Sequence, residues 1–229
     1  MSDVKKLFYD WMGGNEVLFR AINSIRGKAY DEVMIDISWI GDHNHFPYYL
    51  AAILVWALLS ISFKFITRKK GIKHYAGVWL GVLVVLVGGY AVNGLTIKAA
   101  KTYFAFDRPY VALRADKPVE EDEMTKKIAV KYDDINVLEK MADEKSNQSF
   151  PSGHVAFTVF MLVALWPVLS NSAAWFGVFF VALMGWSRIS LGMHFPADVL
   201  GAILISTPLM ILVQGVTYKL LFKLFKLKC

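Results

Sequence analysis

Five apolar stretches, roughly 47–66, 76–97, 154–170, 174–192 and 197–217, each approach the length a helix needs to cross a bilayer, about 17 to 25 residues. An odd number of spans places the two ends of the chain on opposite sides. Ahead of them, Val17, Leu18, Ala21, Ile22 and Ile25 recur at helical spacing against Glu16, Arg20, Asn23 and Arg26. This predicts an amphipathic helix lying in the outer interface, the alternative being that 29–46 forms a polar extension of the first span. Segment 110–150 is too polar for a span and too long for a tight turn, which predicts a partly helical cap with 133–144 as its best helix. The expected architecture is an all-α polytopic membrane bundle of about five to six transmembrane helices. One domain covers 1–229, with an amphipathic N-terminal region 1–46 and an extracytoplasmic insert 110–150.

Composition agrees with the pattern: of 229 residues 56% are hydrophobic, and the mean hydropathy is +0.43. That is too apolar for an ordinary soluble domain. The formal net charge of +6 raises nucleic acid as a partner. The lysines and arginines, however, gather at the ends of apolar runs instead of forming a stripe interleaved with aromatics, so membrane topology explains them and no nucleic acid is expected. Lys64, Arg68, Lys69, Lys70 and Lys73 fill the first connection, while Lys219, Lys223, Lys226 and Lys228 fill the tail. Both belong in the cytoplasm by the positive-inside rule, the C-terminus included. The only cysteine is Cys229, which excludes an intramolecular disulfide and a CxxC metal site. The first thirty residues contain no apolar signal-peptide core, so the first span is expected to direct insertion.

Three short segments then stand out by chemistry: Lys101 with Arg108-Pro109, then Pro151-Ser152-Gly153-His154, then Ser187-Arg188 followed by His194 and Asp198. All lie at the ends of apolar stretches, where an ionisable group is costly unless it pairs or does work. The predicted topology brings all three to one face, the extracytoplasmic one. Pro151 suits the first turn of a helix, whose free N–H groups, together with Gly153 and the Ser152 hydroxyl, make an anion cradle; an ordinary helix start would carry the same residues. Pro196 opens the last span, with His194 at the junction and Asp198 one turn in. A carboxylate four residues away can hold one imidazole nitrogen and leave the other free to attack, although the same pair also serves as a satisfied histidine. Arg188, Lys101 and Arg108 supply the positive potential that recruits an anion. A rival group, Asp42-His43-Asn44-His45, has H-x-H spacing suited to zinc or copper but lacks further ligands nearby.

The pattern K-x6-RP, PSGH and SR-x5-H-x3-D resembles the signature of the type 2 phosphatidic acid phosphatase (PAP2) superfamily, within which the bacterial membrane lipid-phosphate phosphatases are closest. The resemblance implies phosphoryl transfer with neither metal nor cofactor. In it His194 attacks phosphorus, Asp198 holds its ring, and His154 protonates the leaving oxygen and then activates water. Lys101, Arg108, Ser152, Gly153 and Arg188 bind the phosphate oxygens. The implied protein is a multi-pass phosphatase of the cell membrane acting on undecaprenyl diphosphate, phosphatidylglycerol phosphate or phosphatidic acid, with membrane lipids around it. A lipid A phosphatase or lipid phosphotransferase would share the signature. A non-catalytic lipid or anion binder or transporter would need the cations but not a nucleophile with its orienter. The sequence leaves the oligomeric state open.

Overall fold

A computed structural model describes residue 7 and residues 9–67, 71–113 and 147–225. The expected helix at 133–144 and most of the insert lie outside the described residues, as do Arg68 to Lys70, Lys226, Lys228 and Cys229. All regular structure among the described residues is helical. In chain order the helices are α1 (Gly14–Asn23), α2 (Lys28–Ile40), α3 (Phe46–Ile66), α4 (Ile72–Phe104), α5 (Pro109–Ala112), α6 (Gly153–Leu165), α7 (Asn171–Ser190) and α8 (Pro196–Leu224), with 3-10 turns at His43–His45 and Trp166–Val168.

Among the described residues four segments are long and apolar enough to cross a membrane: His43–Ile66, Ile72–Ala112, Asn171–Ser190 and Pro196–Leu224. The expected span at 154–170 is instead the shorter apolar helix Gly153–Val168. Pro167 cannot supply the N–H that would continue α6, so the helix tightens into a 3-10 turn. Leu58, Leu59, Phe63, Leu204, Leu212 and Leu220 are exposed on the outside, as lipid-facing side chains would be.

Helix α6 sits at the centre. Its Val155, Ala156 and Val159 pack into one apolar cluster with α1, α2, α7 and the start of α8. Its Phe157, Phe160 and Ala164 pack into a second with α3, α4 and Met210 of α8. A helix apolar on every side has no face to give to water, and the bundle closes around it. Glycine permits one of the closest helix contacts: a side chain at Gly81 would collide with the Tyr218 ring, whose hydroxyl donates to the Val78 carbonyl at 3.0 Å.

The basic ends lie together. Lys64 sits over the Tyr75 ring at 4.3 Å and the His74 and Phe222 rings are 5.5 Å apart, joining the end of α3, the start of α4 and the end of α8. The three chemical segments occupy the opposite ends of α4 and α8, and the adjoining ends of α6 and α7.

The N-terminal region departs from expectation in one respect. Val17 and Leu18 of α1, and Ile25 just beyond its end, are exposed, as an interfacial helix requires, but the stripe facing the protein is Asn15, Phe19, Ile22 and Asn23. Asn23, expected on the polar outer face, is buried because its amide donates to the Ser190 carbonyl at 2.8 Å. Residues 29–46 are not an extension of the first span. The chain breaks at Gly41, where a side chain would collide with Met184, and Asp42 starts the next turn by accepting from the Asn44 N–H at 2.9 Å. Helix α2 instead lies against α7, with the Trp186 indole donating to the Tyr30 hydroxyl at 2.8 Å.

Candidate active site

Each chemical segment is shaped by how its helix begins or ends. Helix α4 terminates just after Lys101: Ala105 adopts a left-handed conformation (φ 49°) and its N–H bonds the Lys101 carbonyl at 3.0 Å. A short extended stretch then delivers Arg108, with Pro109 opening α5. Helix α7 ends in a Schellman turn, with Met193 N–H on the Arg188 carbonyl (3.1 Å), Gly192 N–H on the Ile189 carbonyl (3.0 Å) and Gly192 at φ 75°. This conformation favours glycine and reverses the chain within a few residues. It brings His194 back over Arg188, whose carbonyl also accepts the His194 N–H at 3.3 Å.

Backbone and side-chain bonds knit the three segments together. Ser149 N–H donates to the Phe106 carbonyl at 3.0 Å, Ser152 N–H to the Asp198 carbonyl at 3.1 Å, and Arg108 Nη1 to the Met193 carbonyl at 3.2 Å. Lys101 Nζ donates to the Gln148 carbonyl. Phe150 packs where a side chain on Gly201 would stand, which seats the loop before α6 on α8.

Asp198 is the hub. Its Oδ2 accepts from His194 Nδ1 at 3.2 Å, from the Phe195 N–H at 2.8 Å and from Ser149 Oγ at 2.5 Å, while Oδ1 accepts from the Tyr9 hydroxyl at 2.9 Å. A carboxylate surrounded by donors can only accept, so His194 carries its proton on Nδ1 and leaves Nε2 with a free lone pair. His194 and Asp198 are 1% and 0% exposed. His194 lies within electrostatic range of Arg108, Arg188, Lys101 and His154. Burial first, then the charges of Arg108, Arg188 and Lys101, hold its imidazole well below the ordinary histidine range, so the ring is neutral near pH 7.

Arg188 and Arg108 are almost wholly buried, and Arg188 Nη1 donates to Ser38 Oγ of α2 at 2.6 Å. At the start of α6, Ser152 does not cap its own helix, and its buried hydroxyl has no partner among the described residues. A side chain on Gly153 would meet only the Lys101 Cε, at 4.0 Å. No protein atom requires glycine there, but a ligand brought against the backbone would. Lys101, Arg108, Ser152, Gly153, His154, Arg188, His194 and Asp198 are therefore gathered at one place, whereas the Ser187 hydroxyl turns back to the Met184 carbonyl of its own helix.

The Asp42–His45 group is not a ligand cage. His45 Nδ1 bonds the Trp39 carbonyl at 3.0 Å, and His43 Nδ1 stands 3.6 Å from Asp42 Oδ1. Among the described residues no group of three or more histidine, cysteine, aspartate or glutamate side chains could hold a metal ion.

The chain matches the family model of the PAP2 superfamily over residues 78–222, more than half its length. The chain belongs to the PAP2 superfamily. Two solved PAP2-fold structures are similar to it. The transmembrane PAP2-type phosphatidylglycerolphosphate phosphatase of Bacillus subtilis aligns over 91% of this chain and 86% of its own, at 22% identity and a TM-score of 0.58. LpxE of Aquifex aeolicus aligns over 88% of this chain and 93% of its own, at 22% identity and a TM-score of 0.51. No curated protein sequence matches the chain.

Five polar residues around this candidate site are not anticipated by the sequence: Tyr9, Asn15, Asn23, Ser38 and Ser149. Asn15 accepts the Ala197 N–H at 2.9 Å and so caps the start of α8 from outside. A signal did exist in α1, where Asn15, Phe19, Ile22 and Asn23 fall on one helical stripe; amides at such positions mark a face that docks on backbone.

Proposed function

We propose that this chain is an integral membrane lipid-phosphate phosphatase. It hydrolyses phosphomonoester or diphosphate lipids of the phosphatidylglycerol phosphate, phosphatidic acid or undecaprenyl diphosphate class. The observation that carries the reading is His194, fixed through Nδ1 by Asp198 and ringed by Lys101, Arg108 and Arg188. A binder or transporter needs the cations but has no use for an oriented, neutral imidazole.

The reaction runs in two displacements. His194 Nε2 attacks phosphorus as the bond to the leaving oxygen breaks, and that oxygen takes a proton from His154. A water then attacks the phosphohistidine, gives its proton to His154, and breaks the P–N bond to release phosphate. Lys101, Arg108 and Arg188, with Ser152 Oγ and the first N–H groups of α6, stabilise the equatorial oxygens. No metal enters this scheme: three cationic side chains supply the charge, and the carboxylate beside the nucleophile already accepts from four donors.

A mostly apolar groove of about 560 Å³ between α4 and α6, walled by Tyr90, Ile97, Ala156, Phe157 and Phe160, opens beside Lys101 and Gly153 and suits a lipid chain arriving laterally. We place the site at the extracytoplasmic face, because Lys64, Lys73, Lys219 and Lys223 occupy the opposite end of the bundle and favour the cytoplasm. The test is phosphate release from these three lipid classes in detergent, in excess EDTA. Release by the wild type and its loss in His194→Ala are expected; release unchanged in His194→Ala, or abolished by EDTA and restored by a divalent cation, overturns the reading.

A further inference from the structure

Tyr9 lies far outside residues 78–222, the part of the chain that matches the family model. Its hydroxyl nevertheless reaches the centre of the site and bonds Asp198 Oδ1 at 2.9 Å, the carboxylate oxygen that His194 does not use. Its ring lies 4.0 Å from that of Phe106 and 6.0 Å from those of both Phe150 and Phe195. Those three phenylalanines stand beside the three chemical segments: Phe106 two residues before Arg108, Phe150 just before Pro151, and Phe195 just after His194. One side chain thus touches all three segments and the carboxylate that joins them.

The N-terminal segment is docked firmly enough to hold it there. Asn15 and Asn23 bond the backbone of Ala197 and Ser190, and the Phe19 ring packs on Phe195 at 5.2 Å. Burial first, and then the Asp198 charge, push the Tyr9 phenol well above its usual range, so it remains a donor at any working pH. The charged and titratable groups facing this pair are His194 on Oδ2, Lys101 towards Asp198, and Asp107 towards Tyr9.

We propose that Tyr9 is a positioning residue for the reaction, fixing the Asp198 carboxylate from the side opposite His194 and thereby aiming the imidazole. The inference rests on the reading of His194 as nucleophile. With Oδ1 held by Tyr9 and Oδ2 by Ser149 and the Phe195 N–H, the carboxylate plane cannot turn. Without the phenol, one oxygen loses its only donor among the described residues, and rotation about the carboxylate carries the Nδ1 bond with it. Through Tyr9 alone the N-terminal segment then bears on the reaction, beyond its packing role.

Tyr9→Phe removes the hydroxyl and keeps the ring among its three aromatic neighbours. A hydrogen bond to a charged group is worth a factor of roughly ten to a hundred, so kcat should fall by about that much with KM within about twofold of wild type. Ile22→Val, which trims buried packing in α1 without touching Asp198, serves as the control and should leave kcat near wild type. The downfield Nδ1–H proton signal of His194 should shift in Tyr9→Phe and stay in place in Ile22→Val. Wild-type kcat and an unmoved His194 signal in Tyr9→Phe overturn the inference, as does an equal loss of kcat in both variants. If instead His194→Ala keeps its activity, the underlying reading of the site has failed, which is a separate result.

Discussion

Replacing Asp198 with asparagine separates its structural role from its chemical one. The side chain keeps its shape, so only one of its two termini changes from acceptor to donor. Three donors converge on the Oδ2 position, namely His194 Nδ1, the Phe195 N–H and Ser149 Oγ, and one, the Tyr9 hydroxyl, on the Oδ1 position. The asparagine carbonyl should therefore take the Oδ2 place. Its amide then faces Tyr9, whose hydroxyl can rotate to accept. All four contacts survive in neutral form, each weakened from the roughly 1.5–3 kcal/mol of a charged hydrogen bond to about 1 kcal/mol. The fold should hold, with a melting temperature lowered by several degrees. Asp198→Ala, by contrast, strands several buried donors at about 1–3 kcal/mol each and removes the acceptor at the start of α8, so it should be far less stable.

Turnover should follow a different order. In Asp198→Asn the imidazole keeps a partner but loses the negative charge that opposes its growing positive charge. A loss of kcat on the order of 10² to 10⁴ is expected, in line with the neutralised orienter of a serine-protease triad. Initial-rate kinetics on a lipid phosphate, beside thermal melts in the same detergent, check both numbers. A kcat within about threefold of wild type would refute the orienting role of Asp198, and an Asn variant as unstable as the Ala variant would refute the amide placement.

Ser38→Ala removes the hydrogen bond that Arg188 makes to α2, so KM should rise by about tenfold with a smaller change in kcat; an unchanged KM would show that this bond does not place the guanidinium. Gly192→Ala puts a side chain on a left-handed residue at a cost of about 1 kcal/mol and tilts the turn that carries His194, so kcat should fall further than the melting temperature suggests; full activity would show that the turn tolerates the shift. Because His194 is held below its ordinary range, the unfolded chain binds the extra proton as pH falls through about 6.5, and this residue's share of stability is present above that pH and lost below it. Nitrogen NMR of labelled histidine should accordingly find His194 neutral, with its proton on Nδ1, at pH 6.5; an imidazolium there would contradict the burial argument.

The parts legible in the sequence were those with local causes. Apolar run lengths located the membrane-spanning helices, and Pro196 marked the start of α8, whereas Pro151 stands just before α6, whose N-cap is Ser152. The spacing of His194 and Asp198 already implied their hydrogen bond, since four residues make one helical turn. The parts that escaped depend on contacts between residues far apart in the chain, from 49 positions for Ser149 and Asp198 upwards. Tyr9 meets Asp198 over 189 positions and Ser38 meets Arg188 over 150, and no periodicity records such pairings. Asn23 looked like a solvent-facing residue because hydropathy scores the side chain alone; its actual partner is the carbonyl at the end of α7. The extent of α6 reads longer in the sequence than it is, because its apolar run continues to 170 whereas Pro167 tightens the chain into a 3-10 turn.

The central claim is that phosphorus becomes bonded to His194 during turnover. The most direct measurement uses His154→Ala with a ³²P-labelled phosphomonoester whose leaving group needs no proton, so that the first displacement proceeds while the water step is starved of its base. Rapid quenching should yield a burst of protein-bound label that is acid-labile and base-stable, mapping by peptide sequencing to His194 and absent from His194→Ala. Label on another residue, or phosphate released at full rate with no bound label under these conditions, would contradict a phosphohistidine at His194.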